Sequence, residues 1–123
     1  MHRLVRIGCW RSGPGLRCPD PATFVDLSWD AHDREQIIAY LRSGTVPWVA
    51  AGQPTCRMCG VANGSAEFTD GTYVWPEGLA HYVDEHHVRL PEAVLEHIRR
   101  RWDELLEESI VDDEWWLRAT GSS

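Results

Sequence analysis

The chain has 123 residues, a length that suits one domain with a single core. Its 43% hydrophobic and 25% charged residues are ordinary for a globular protein, and no apolar run nears the ~20 residues of a membrane span. The formal charge is −7, and past residue 19 eight arginines face nineteen acids, a net of −11 that argues against nucleic acid and for a basic partner or a cation.

The N-terminus, Met1-His2-Arg3-Leu4-Val5, lacks the apolar core of a signal peptide, so a cytoplasmic protein is expected. Arg3 to Trp10 alternates loosely and reads as a strand. Arg11 to Pro21, rich in Gly and Pro, reads as loop. Cys9 and Cys18 flank Gly13-Pro14-Gly15. They could be ligands or a disulfide, and a reducing cytoplasm favours free thiols. Thr23 to Leu27 reads as a second short strand. Ser28 or Asp30 then caps a helix to about Ser43, with Ile37, Ile38, Tyr40 and Leu41 as its buried stripe and Gly44 as its stop. His32 and Asp33 fall in the first turn of that helix, where a solvated role is expected. Thr45 to Ala50 suggests an edge strand, because Pro47 cannot donate to a central ladder.

The stretch 54–91 reads as one metal-centred unit. Cys56-Arg57-Met58-Cys59-Gly60 places two thiols two residues apart, with a glycine suited to the tight turn that lets both face one cation. Asp70-Gly71 between two alternating runs is a hairpin signal. Trp75-Pro76-Glu77 reads as a helix start, and Val88-Arg89-Leu90-Pro91 as its break. The helix carries His81, His86 and His87, so the ligand spacing is C-x2-C-x21-H-x4-H, with Cys56, Cys59, His81 and His86 as the candidate zinc ligands. At ~100° per residue, His81 and His86 lie about 140° apart on an ideal helix, so both reach one ion only if the last turn is distorted or the ion sits at the helix end. Glu85, nearly on the face of His81, is the alternative oxygen ligand, and His87 the alternative imidazole. His86 is favoured over His87 because it shares the face of Leu79 and Val83.

The order knuckle, hairpin, helix resembles a treble-clef zinc module over about thirty residues. The run Asp70-Gly71-x-Tyr73-Val74-Trp75-Pro76-Glu77-Gly78-Leu79-Ala80-His81-Tyr82-Val83, followed by His86-x-Val88-Arg89-Leu90-Pro91, is similar to small uncharacterised bacterial proteins. That resemblance implies a bacterial origin and no particular activity.

The segment 91–118 reads as helical. Pro91 opens a helix to about Ser109 whose apolar stripe is Val94, Leu95, Ile98, Trp102, Leu105 and Leu106. Arg99, Arg100 and Arg101 are expected to pair with Glu96, Asp103 and Glu104, and His97 to face solvent. Asp112, Asp113 and Glu114 before Trp115 and Trp116 look like the start of a further short helix. The expected fold is α+β: one domain with a zinc knuckle, hairpin and helix, a short sheet and two further main helices.

No nucleophile elbow, phosphate loop, H-E-x-x-H or glycosidase carboxylate pair is visible, and the zinc-deaminase order of motifs is reversed. A hydrolase or nuclease reading requires an open metal, with one histidine released and Asp84 or Glu85 as general base. A nucleic-acid-binding finger is the other alternative, resting on four arginines and no acid in the first nineteen residues. The preferred expectation is a zinc-stabilised interaction module, such as an immunity or adaptor protein. It would bind a basic protein through Asp112, Asp113, Glu114, Trp115 and Trp116.

Overall fold

The computed structural model describes residues 2–10, 17–49, 52–108 and 110–121, the side chain of Glu108 excepted. Met1, the Gly13-Pro14-Gly15 part of the expected loop, Ala50, Ser109, Ser122 and Ser123 lie outside the described residues.

Among the described residues the fold is a small α+β arrangement of a four-stranded mixed sheet and four α-helices. The strands are β1 (Val5–Arg6), β2 (Thr45–Val49), β3 (Ala66–Thr69) and β4 (Tyr73–Pro76), in the order β1-β4-β3-β2. β1 runs parallel to β4, while β2/β3 and β3/β4 are antiparallel. β2 is therefore an edge, as Pro47 requires. The helices are α1 (Ala31–Arg42), α2 (Leu79–His86), α3 (Glu92–Glu108) and α4 (Glu114–Ala119).

Local chemistry accounts for most boundaries. The Asp30 carboxylate caps α1 by accepting the Asp33 N–H at 2.9 Å, and the Ser43 hydroxyl donates to the Tyr40 carbonyl at its end. Asp70 accepts the Thr72 and Tyr73 amides at 2.9 and 2.8 Å, which shapes the β3–β4 turn. The main core joins Ile37, Ile38, Tyr40 and Leu41 of α1 to Trp75, to Leu79, Ala80 and Val83 of α2, and to Val94, Leu95 and Ile98 of α3. Trp75 is 1% exposed, and its indole N–H donates to the Leu41 carbonyl at 2.9 Å, so a large aromatic is buried with its polar atom satisfied.

Several expectations are corrected. The first strand is only Val5–Arg6, since Gly8 soon after it takes φ +79° and leaves the extended conformation, and the structure joins Cys9 and Cys18 in a disulfide rather than leaving free thiols. Thr23 to Leu27 is no strand. Pro21–Phe24 forms a 3-10 turn, since Pro21 presets φ and the Asp20 side chain caps the Ala22 N–H; Val25 alone makes an isolated bridge, to Val88. Pro76 ends β4 instead of starting a helix, since pairing with Glu67 carries β4 through Pro76 and α2 begins at Leu79. Leu105 and Leu106, expected on the buried stripe of α3, are 51% and 67% exposed, because the core beneath α3 ends near the partly buried Trp102.

The charges and polar groups of α1 and α3 also differ from expectation. Asp33 is not solvated: it accepts the Trp29 indole N–H at 2.7 Å and two bonds from Arg99 at 2.9 and 2.7 Å. Those bonds from Arg99 hold the Asp33 carboxyl below its usual pKa, against desolvation. Arg99 thus reaches across to α1 and also to Glu92, not to Glu96 or Asp103, while Arg101 does pair with Glu104. His97 is packed, not exposed. Its ring meets Tyr73 edge-on at 4.8 Å, and its Nε2–H donates to Asp70 at 2.9 Å.

Candidate metal centre

The knuckle is set by backbone bonds. The Cys56 N–H donates to the Val61 carbonyl, and the Gly60 N–H to the Cys56 carbonyl, both at 2.9 Å. Gly60 takes φ +76°, which a residue with a Cβ adopts only at a cost, so the glycine after Cys59 lets the chain fold back. The Met58 N–H donates to the Cys56 sulfur at 3.4 Å. Cys56 is buried and Cys59 exposed.

α2 supplies the two imidazoles. Its last turn is wide: the N–H groups of His87 and Val88 both donate to the Tyr82 carbonyl, five and six residues back, where a regular helix closes over four. A wide turn advances less than the usual angle per residue. The His81 and His86 rings stand 5.1 Å apart. His86 Nε2 lies 3.4 Å from the Cys56 sulfur, and His81 Nε2 lies 3.4 Å from the Cys59 sulfur. One ligand atom from each of Cys56, Cys59, His81 and His86 lies within 4.8 Å of every other, close enough to hold one metal ion. Glu85 is exposed and outside this group. His87 takes the left-handed conformation at φ 53° as the C-cap of α2, and it too lies outside the group.

Burial, with the neighbouring His81 charge adding to it, lowers the pKa of His86 and so favours the neutral imidazole that a metal needs. The Tyr82 hydroxyl accepts the Arg57 N–H at 2.7 Å and so ties α2 to the middle of the knuckle. Cys56, Tyr82 and Val88 form a second small core, covered by Trp10 and Met58.

No protein family, curated protein or solved structure matches this chain. Among the described residues no helix is long and apolar enough to cross a membrane.

The C-terminal acids and tryptophans are not among the metal group. None of the residues of α4 is buried. Trp115 is 68% and Trp116 62% exposed, and Asp112, Asp113 and Glu114 beside them are exposed as well. Sequence reasoning missed a second polar cluster, in which the Tyr40 hydroxyl donates to Asp70 at 2.6 Å on the oxygen that His97 also engages. Burial alone would raise the Asp70 pKa, yet the bonds from Tyr40, from the Tyr73 and Thr72 amides and from His97 hold it below its usual value. The available signal was spacing: Val94, His97 and Arg101 recur on one face of α3.

Proposed function

We propose that this protein is a zinc-stabilised interaction module that docks a basic protein partner through its C-terminal segment. The exposed Trp115-Trp116 pair beside three acids carries the reading. Two tryptophans left in water forfeit a large hydrophobic gain, and a contiguous apolar patch with a charged rim is the usual mark of a docking surface. Leu105, Leu106, Ile110 and Val111 are exposed as well, at 51%, 67%, 92% and 88%. A basic partner fits because the chain is acidic and the acids stand immediately before the aromatics. Acids steer the encounter, and buried tryptophan supplies the contact energy. An immunity or adaptor protein is the functional class with this chemistry.

Zinc is the metal that suits two cysteines and two histidines. For Zn–S of about 2.3 Å and Zn–N of about 2.05 Å, a tetrahedral site requires S···N separations near 3.6 Å. The two pairs at 3.4 Å fit that requirement. Four protein ligands would close the coordination sphere, which is the pattern of a structural ion. The sequence of knuckle, β3–β4 hairpin and α2 supports the treble-clef description of this unit.

The test compares wild type with a Trp115→Ala/Trp116→Ala double variant as baits, identifying captured proteins by mass spectrometry across a salt series. The expected result is a basic protein held by wild type, released by salt, and lost in a double variant with an unchanged melting temperature. Equal capture by both baits would overturn the assignment. So would self-association through this segment, seen by analytical ultracentrifugation in wild type and lost in the variant.

A further inference from the structure

Trp10 links the N-terminal disulfide to the metal-binding group. It follows Cys9 directly, and its ring lies 5.7 Å from Tyr82 and 6.0 Å from Phe24. Tyr82 holds the Arg57 amide inside the knuckle and packs with the ligand Cys56. The Trp10 indole N–H is buried and meets no acceptor among the described residues, so no side-chain polar bond secures the ring in its seat. An unpaired buried N–H opposes that seat. What holds Trp10 there is apolar contact plus the covalent tether beside it, which joins Cys9 to Cys18 with their Cα atoms 5.4 Å apart. Cys9 is exposed and Cys18 partly so, which leaves the bond open to reductants.

We propose that the Cys9–Cys18 disulfide is a redox-operated clasp that sets how tightly the Cys56, Cys59, His81 and His86 group retains its metal. A dithiol reductant delivers two electrons and two protons. The Cys9–Cys18 sulfur–sulfur bond breaks to two thiols, and the reductant leaves as its own disulfide. Without the tether Trp10 leaves Tyr82, the Tyr82 hydroxyl no longer pins the Arg57 amide, and the knuckle opens more often. Disulfides in a reducing compartment are typically transient and redox-sensing, which matches such a role. The proposal rests on the metal reading above, and its test separates the two.

The experiment loads the purified chain with zinc and follows zinc release into a chromogenic chelator, with and without a phosphine reductant, which opens the disulfide without introducing a competing thiol. Thiol titration verifies that two further thiols appear. Release is expected to accelerate at least tenfold on reduction. Trp10→Ala and Cys9→Ser/Cys18→Ser should release at the fast rate whether or not reductant is present. Equal release from oxidised and reduced wild type overturns the clasp, even if the variants fail to fold. A chain that binds no zinc in either state overturns the metal reading instead. The clasp is then judged by hydrogen exchange at the Arg57 amide: faster exchange on reduction supports it, and unchanged exchange overturns it.

Discussion

Asp70 shows how one residue serves several levels of the structure. As a turn former it accepts two backbone amides, and as a partly buried anion it receives Tyr40 from α1 and His97 from α3. Its side chain is 9% exposed, so these bonds act with little competition from water. Its folded pKa is depressed relative to an unfolded value near 3.9. The stabilisation is therefore present above about pH 4 and is lost as pH falls through the folded pKa. Asp70→Asn should cost about 2–4 kcal/mol at neutral pH, since it removes a charged acceptor from four donors. Denaturant unfolding from pH 7 down to pH 3 should show the variant and wild-type curves converging as pH falls; parallel curves would contradict the assignment. Asp33 works by the same logic through Trp29 and Arg99, and its depressed pKa adds to the acid sensitivity in the same direction.

At the scale of elements, the last turn of α2 sorts three candidate ligands. Its wide closure onto the Tyr82 carbonyl puts His87 in the left-handed region, where it ends the helix, while the His86 ring stands 5.1 Å from that of His81. A glycine adopts that conformation without strain. His87→Gly should therefore keep one metal per chain and change stability by no more than about 1 kcal/mol. His86→Ala should weaken metal affinity by more than about a hundredfold, beyond what loss of a supporting contact costs. Elemental analysis and competitive chelation of the two variants check both statements, and metal loss in His87→Gly would reassign the ligand. α4 poses the opposite case, an element with neighbours in sequence and none in the core. Its tryptophans are as apolar as Trp75, yet Trp75 has α1 and α2 packed over it, while Trp115 and Trp116 stay 68% and 62% exposed.

For the molecule as a whole, two cores of different dependence adjoin. The larger is apolar and joins α1, α2 and α3 to the sheet; the smaller, Cys56, Tyr82 and Val88 under Trp10, includes one of the four candidate metal ligands. Structural zinc supplies on the order of 10 kcal/mol in small fingers, but here Leu79, Ala80 and Val83 anchor α2 independently of any ion. Metal removal should thus unravel the knuckle first and leave much of the helical signal. Cys56→Ser, or chelation of wild type, should lower the melting temperature by about 10 °C or more and split the transition. Circular dichroism against temperature, with metal content measured in parallel, checks this. An unchanged curve in demonstrably metal-free protein would remove the structural role.

The features legible in the chain were those governed by near neighbours. The stripe of α1, the Asp30 cap, the Asp70-Gly71 turn and the C-x2-C knuckle each depend on a few consecutive residues, whose sterics and hydrogen bonds act before any tertiary contact exists. Even the pairing of that knuckle with histidines on a following helix could be read from spacing. Other features depended on partners far along the chain. His97 looks like a surface residue until the β3–β4 turn brings Asp70 beneath it, and Arg99 has acids on its own helix yet bonds Asp33 on α1. Thr23 to Leu27 has strand-like composition, but the Asp20-Pro21 cap winds its first residues into a 3-10 turn, and among the described residues Val25 pairs only as a bridge to Val88. Leu105 and Leu106 continue a helical stripe past the end of the core, because periodicity records which side of a helix is apolar and only packing decides how far along it a neighbour extends.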